Sequence, residues 1–361
     1  NFDDNAIKFF HHRLSILDLR DVAAQPFASY NNRFLLIYNG EIYNHNKLRK
    51  LINTKVNINW RSNCDSETLV NIFHYTDIKK AIEMLEGMFS FSLYDREKNE
   101  LILARDRTGE KPLYICTNKN YFSFASDIHP IKNLPYFNNE IDKKSLEEFL
   151  KYNYIPTPLS IYKNSFKIPP ASFIRIDLNK FKIQPFNTFE DFINSDGVKF
   201  DKWWSLNDDK LINNQNIVST SEFEELLFES IKKQLISDVP IGAFLSGGID
   251  SSLVVALMQK ISGNTNTFTI GFNFSKFDES KTASKIASYL GTNHTSYVCT
   301  KEDVINKIST IPYAFTEPFA DSSQIPTMLV SELASKKVKV VLSGDGGDEL
   351  FGGYNRYIYA N

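Results

Sequence analysis

A chain of 361 residues, 42% hydrophobic and 23% charged, is long enough for two domains with substantial cores and has an ordinary globular composition. Its formal net charge of -2 gives no electrostatic reason to bind nucleic acid or a membrane surface. No apolar run approaches a bilayer span, and no secretory signal opens the chain. The three cysteines, Cys64, Cys116 and Cys299, are odd in number and widely spaced, which argues against a disulfide scaffold or a zinc site and fits a reducing cytoplasm.

In chain order, residues 1 to about 190 carry short β-type runs at Phe34–Tyr38, Met88–Tyr94, Glu100–Ala104 and Tyr121–Ala125. Asn39-Gly40 and Thr108-Gly109 read as turn signals between them. Helical patterns fall near Asn46–Ile52, Ser66–Tyr75 (after a cap at Asp65) and Lys143–Lys151, so this half is expected to be a layered α+β domain. The 29 Phe and 17 Tyr read as core filling here rather than a base-stacking surface, because basic residues are not interleaved with them. The polar stretch 191–215, with Trp203-Trp204, reads as a linker. From Ser219 a helical spacing (Phe223, Leu226, Leu227, Ile231, Leu235) is followed by strand–loop–helix units, the pattern of an α/β nucleotide domain.

Two loops in this second half carry chemistry. Leu245-Ser246-Gly247-Gly248-Ile249-Asp250-Ser251-Ser252 follows one apolar run and opens another. A strand, a glycine turn and a helix start aim backbone N–H groups and a helix dipole at an anion. Asp250 stands where a Walker A loop has its lysine, so the loop suits pyrophosphate, with Mg²⁺ on Asp250, rather than transfer of a γ-phosphate. Val338–Leu342 is a buried-strand run ending in Ser343-Gly344-Asp345-Gly346-Gly347-Asp348-Glu349. Ligands of open α/β sheets bind at the carboxyl ends of strands, so the two loops are expected to face one nucleotide site, with Asp250 and Asp348 as the metal pair. The plain alternatives are an ordinary glycine turn and a solvated acidic turn.

These two loops and Pro318-Phe319-Ala320-Asp321 resemble the glutamine-hydrolysing asparagine synthetases, members of the ATP-pyrophosphatase (PP-loop) group. His11–Leu19, Tyr38-Asn39-Gly40-Glu41-Ile42-Tyr43-Asn44, Asp65-Ser66-Glu67 and Ala104-Arg105-Asp106-Arg107 are similar to that family's glutaminase domain, in family order over nearly the whole chain. The resemblance implies an N-terminal-nucleophile-type αββα glutaminase domain over 1–190, a linker at 191–215 and an incomplete doubly wound PP-loop domain over 216–361.

It further implies that Arg13 binds the glutamine carboxylate, a bidentate task for a planar guanidinium. Glu41 and Asp65 would surround the glutamine amino group, and Asn39 with Gly40, at a strand end, would form the oxyanion hole. Ser246, Gly247, Gly248, Asp250, Ser251 and Ser252 would hold pyrophosphate and Mg²⁺. Leu245, Ile270, Ser343 and Gly344 would line the adenine site, and Asp345 would lie near an adenylate. Asp278-Glu279 matches a further family segment that a generic turn explains equally well.

The implied reaction joins ATP, aspartate and glutamine through a β-aspartyl-adenylate. Another carboxylate acceptor (a sugar acid or β-lactam precursor) and an inactive binding remnant are the alternatives. A homodimer is the assembly to test. The family nucleophile is an amino-terminal cysteine, whereas this sequence begins at Asn1. The chain therefore reads as the middle of a longer protein, not expected to hydrolyse glutamine by itself. Cys64 neighbours Asp65 and is a candidate to line the pocket, but no base accompanies it. The histidines suggest no triad.

Overall fold

The computed structural model describes residues 2–3, 7–206, 218–272 and 278–359. The chain divides into two compact units, residues 1–216 with 315–320, and residues 217–314 with 321–361.

In the first unit a short ribbon of β1 (Phe2–Asp3) and β2 (Lys8–Phe9) precedes β3 (Phe27–Ala28), β4 (Phe34–Ile42), β5 (Gly87–Asp95) and β6 (Glu100–Arg105). Then come β7 (Tyr114–Thr117), β8 (Phe122–Ala125), β9 (Ser165–Lys167), β10 (Ser172–Asp177) and β11 (Val198–Lys202). The strands form an antiparallel six-stranded sheet, β11-β10-β6-β5-β4-β3, and a three-stranded sheet, β8-β7-β9. Period-two alternation decides what covers each face. Phe34, Leu36 and Tyr38 pack with Leu48 and Ile52 of helix α1 (His45–Ile52) and with Leu69 and Ile72 of α2 (Asp65–Ile72). Ala81 and Ile82 of α3 (Ile78–Glu83) join the same core. The intervening Leu35, with Leu101, Leu103, Ile174 and Ile176, packs against Ile115 and Phe166 of the smaller sheet. That sheet's outer residues Tyr114 and Cys116 meet Ile128 and Ile131 of α4 (Ile128–Lys132). The layers therefore run helix, sheet, sheet, helix, and phenylalanines fill the space between the sheets.

Three expectations are corrected. Asn39-Gly40 is neither a turn nor a strand end: both lie inside β4, with Asn39 opposite Ser90 and Gly40 opposite Phe89. A Cβ at Gly40 would stand 2.1 Å from the Met88 carbonyl oxygen, so the glycine serves close approach to β5 rather than chain reversal. Asp65 is not a cap. Cys64 occupies the N-cap position, and α2 starts at Asp65, whose carboxylate turns to β4 instead. Residues 191–206 are not a linker. They include the end of α6 (Phe189–Ile193; α5 is Lys143–Tyr152), the edge strand β11 and buried Trp203, which stacks on Phe89 and donates its indole N–H to Arg105 O. The remainder of that stretch lies outside the described residues.

The second unit opens with α7 (Thr220–Gln234), started by a reciprocal capping box between Ser219 and Glu222. Strands β12 (Ile241–Phe244), β13 (Asn266–Phe272), β14 (Asn293–Cys299) and β15 (Val340–Leu342) are all parallel, in the order β14-β13-β12-β15. Helices α8 (Ile249–Ser262) and α9 (Ser280–Leu290), with α7, cover Ala243 and Leu245 on one face. Beyond α10 (Lys301–Ile308), α11 (Gln324–Ser335) covers Phe244, Phe268 and Val341 on the other. The sheet is thus doubly wound. Its direction of progression reverses between β12 and β15, which is the topological switch point.

Residues 315–320 belong to the first unit although both flanks belong to the second. In this strap Glu317 accepts from Ile161 N (2.8 Å) and from Lys167 Nζ (2.7 Å), with the two side chains only 9% and 11% exposed. Ala320 N donates to Asn153 O. No described helix is long and apolar enough to cross a membrane, and the three cysteines are buried and unbridged.

Phe192, fully buried among Phe122, Phe181, Phe186 and Phe189, separates folded structure from linker. Phe192→Ala is expected to cost about 3–5 kcal/mol in urea unfolding. A loss below about 0.5 kcal/mol, the size expected of an exposed site, would return the stretch to a linker.

Candidate active sites

The first unit contains a cavity of about 1210 Å³ whose polar end is lined by Arg13, Asn39, Gly40, Glu41 and Asp65, together with Lys111. All five expected residues meet there. Arg13 is aimed by backbone: its Nη2 donates to Leu17 O (2.5 Å) and Asp18 O (2.9 Å). The Asp65 carboxylate is buried and accepts from the Tyr38 hydroxyl (2.7 Å) and from Ile42 N (2.9 Å) through Oδ2. Burial raises its pKa, while those two donors favour the ionised form. Glu41 has no such help. Its Oε1 is buried without a hydrogen-bond partner among the described residues, and burial, then the charge of Asp65, push its pKa up to about 9. Burial therefore holds a proton on the Glu41–Asp65 pair to higher pH than either carboxyl would keep it in water. Two adjacent carboxyls, one with an unsatisfied oxygen, make a suitable seat for an ammonium group, whose charge would favour their ionised forms.

Pattern reading missed several participants. Lys111 enters the cavity from the loop that buried Asp106 organises by accepting from Gly109 N (2.6 Å), Glu110 N (2.9 Å) and Lys111 N (2.9 Å). Gln25 brackets Tyr38, accepting from its N–H (2.7 Å) and donating to its carbonyl (3.1 Å). His11 faces the same carbonyl at 3.0 Å, and burial lowers its pKa, which keeps it neutral. The Asp106-x-x-Gly109 turn was a legible signal; Lys111's direction had none. Cys64 does not line the cavity. It is 1% exposed, its sulfur lies 3.0 Å from the Ser62 hydroxyl, and burial raises its pKa, so it is no activated thiol.

In the second unit the loops after β12 and β15 touch, because their strands are paired neighbours. A Cβ at Gly344 would stand 2.7 Å from Ser251 N, and one at Gly347 would stand 2.5 Å from Asp250 Cγ. Gly247, at φ 92°, needs glycine for its backbone as well. The hydroxyls are poised among themselves: Ser246 Oγ lies 2.9 Å from Ser251 Oγ and accepts from Gly248 N (3.2 Å), while the Ser252 hydroxyl donates to Gly248 O (2.6 Å). Ser343 donates to Asp345 (2.9 Å). Asp250 and Asp348 each stand in the first turn of a helix, and no hydrogen bond or ion pair to either carboxylate occurs among the described residues. Oxygen donors of this kind fit Mg²⁺. No group of three metal-ligating side chains occurs among the described residues, so such an ion would complete its shell with phosphate oxygens and water. Leu245 departs from expectation, since its side chain is 1% exposed in the core and its N–H is bonded to Phe268 O. Ile270 is half-buried, two residues before the end of β13. Asp278 caps the turn before α9 by accepting from the Ser280 hydroxyl (2.5 Å).

Residues 1–187 match the model of a glutamine amidotransferase domain, and residues 222–361 match that of asparagine synthase. The chain is 34% identical over 377 residues to a putative glutamine-hydrolysing asparagine synthetase 2 of Methanocaldococcus jannaschii, covering 99% of this chain and 69% of that protein. It is 34% identical over 361 residues to glutamine-hydrolysing asparagine synthetase 1 of Bacillus subtilis (99% and 53% covered). A putative glutamine-hydrolysing asparagine synthetase of Mycobacterium bovis is 32% identical over 358 residues (97% and 53% covered). The chain belongs to the glutamine-hydrolysing asparagine synthetase family. It spans about half the length of two of these family members and 69% of the first.

The raised Glu41 pKa gives a pH test of this cavity. With its folded pKa raised from 4.5 to about 9, the folded state holds a proton that the unfolded state loses. Stability is therefore complete below the lower value and erodes as pH rises toward the upper one. Glu41→Gln removes that slope, so parent and variant should unfold alike in urea at pH 5 and the variant should be ahead at pH 9. Parallel profiles would place the proton elsewhere.

Proposed function

We propose that this chain carries the glutaminase half and the nucleotide-activating core of an asparagine synthetase. The overall reaction is ATP, aspartate, glutamine and water giving asparagine, glutamate, AMP and pyrophosphate. The domain reading is an N-terminal-nucleophile-type glutaminase domain, extended from residue 190 to about 206, and a PP-loop domain from about 216. The observation that carries the proposal is the contact of Gly344 and Gly347 with the Asp250 turn at the switch point, on a chain that also holds a pocket built for an amino acid.

In the pocket, Arg13 takes the α-carboxylate of glutamine, while Glu41 and Asp65 take its ammonium. Asn39, with its side-chain amide, and Gly40, with its N–H, donate to the oxygen that becomes negative when the amide is attacked. Released ammonia is the nitrogen donor for the second half. There the aspartate β-carboxylate attacks the α-phosphate of ATP, a P–O bond to pyrophosphate breaks, and ammonia then displaces AMP from the acyl-adenylate. Backbone N–H groups of Gly247 and Gly248, the α8 amino terminus and the Ser246, Ser251 and Ser252 hydroxyls receive the pyrophosphate. Mg²⁺, held by Asp250 and Asp348, would screen the phosphate charge. Ser343, Gly344 and Ile270 face the adenine, and Asp345 lies beside the adenylate.

The full-length protein should release pyrophosphate with ATP, Mg²⁺ and glutamine only when aspartate is present, with asparagine formed in equal amount. Asp250→Asn should lower that release by about 10²-fold while leaving glutamine hydrolysis within about twofold, a change worth under 1 kcal/mol. Glutamine hydrolysis without aspartate-dependent pyrophosphate would replace aspartate with another acceptor. Absence of both activities would reject the enzyme.

A further inference from the structure

Asp18 lies beside the glutamine pocket without lining it. Its backbone is left-handed at φ 52°, a conformation disfavoured for a residue with a Cβ and retained where surrounding bonds over-determine it. Those bonds are present. Oδ1 accepts from Arg20 Nε (2.7 Å), and Oδ2 accepts from Arg20 Nη2 (2.6 Å) and from the backbone N–H of Asn63 (2.7 Å). The Asp18 side chain is 2% exposed and that of Arg20 63%. An exposed ion pair alone fixes little, but the Asn63 bond joins segments 45 residues apart.

Each end of this clasp leads to one end of the pocket. On one side, the Leu17 and Asp18 carbonyls both accept from Nη2 of Arg13, which fixes the guanidinium plane and leaves the Nη1 hydrogens for a ligand carboxylate. On the other, Asn63 is two residues before Asp65, whose carboxylate holds Ile42 N and Tyr38. The flanking carbonyls of Ser62 and Cys64 are held by Arg49 (both 2.7 Å). Asp18 is thus the link between the segment that aims Arg13 and the segment that delivers Asp65.

We propose that Asp18 is a positioning residue for amino-acid recognition: its clasp on Arg20 and the Asn63 amide fixes Arg13 relative to Asp65, and so sets affinity for the α-carboxylate of glutamine without touching it. The inference rests on the reading of the pocket as a glutamine site. Because it acts through Arg13, its signature is selective. Asp18→Asn keeps the size and tolerates the left-handed backbone but gives up the charge. In the full-length protein it should raise KM for glutamine by about tenfold, the scale of one charge-assisted hydrogen bond, with kcat little changed and ammonia-dependent asparagine formation unaltered. Inhibition by 4-aminobutanamide, which is glutamine without its α-carboxylate, should be unchanged.

Three companions keep the outcomes distinct. Arg20→Ala, an exposed change that leaves folding intact, should raise KM in the same direction by a smaller factor. Asp18→Gly, which permits the backbone but removes the clasp, should match or exceed Asp18→Asn. Arg13→Ala tests the pocket reading: an unchanged KM for glutamine there overturns both the reading and the proposal. A raised KM in Arg13→Ala beside a parent-like Asp18→Asn overturns the proposal alone. So does an Asp18→Asn variant that loses 4-aminobutanamide and glutamine affinity equally, or that loses kcat.

Discussion

Beneath β4 the buried Asp65 carboxyl joins helix to strand, and the site of the first unit is arranged around that joint. The Tyr38 hydroxyl and the Ile42 N–H both point at one of its oxygens, and the amino end of α2 adds its dipole. Those bonds pin α2 to β4, the strand that displays Asn39, Gly40 and Glu41. They also set a second carboxyl beside Glu41, whose pKa burial, and then the charge of Asp65, raise to about 9. With one Glu41 oxygen left without a partner among the described residues, the pair offers a cation its seat.

The second unit relies on backbone proximity instead of buried charge. Two parallel strands end side by side, and their loops come together so tightly that a Cβ at 344 would meet the Ser251 backbone and one at 347 the Asp250 carboxyl. With side chains excluded, peptide N–H groups and short hydroxyls form the floor. The Ser246 and Ser251 hydroxyls currently bond each other and the Ser252 hydroxyl bonds the Gly248 carbonyl, so an incoming anion exchanges internal hydrogen bonds for external ones and meets a surface that is already ordered.

What could be read from the sequence was local. The Ser-Gly loops, the β-branched run before Ser343 and the helical spacing after Ser219 each carry their physics in adjacent residues. Misreadings arose where a distant partner decided the outcome. Asn39-Gly40 has a hairpin composition, yet pairing with β5 across a 9-residue strand outweighs the preference of two residues. Residues 191–206 look polar and irregular because their order comes from elsewhere: β11 from its register with β10, Trp203 from Phe89 and Arg105. Asp65 has the composition of a cap, but a strand from another part of the chain claimed its carboxylate. Asp18 was legible only as part of a motif, because its bond to Asn63 has no spacing rule.

The strap at 315–320 bears on how this protein can be divided. Its glutamate is the counter-ion of Lys167, an ammonium only 11% exposed that otherwise meets the Ile155 carbonyl. A gene fragment ending anywhere between the two halves would encode the first unit with a stranded buried cation and an Ile161 amide without its acceptor. An exchange of the second half therefore has to keep the Lys167–Glu317 match that its strap supplies to the first.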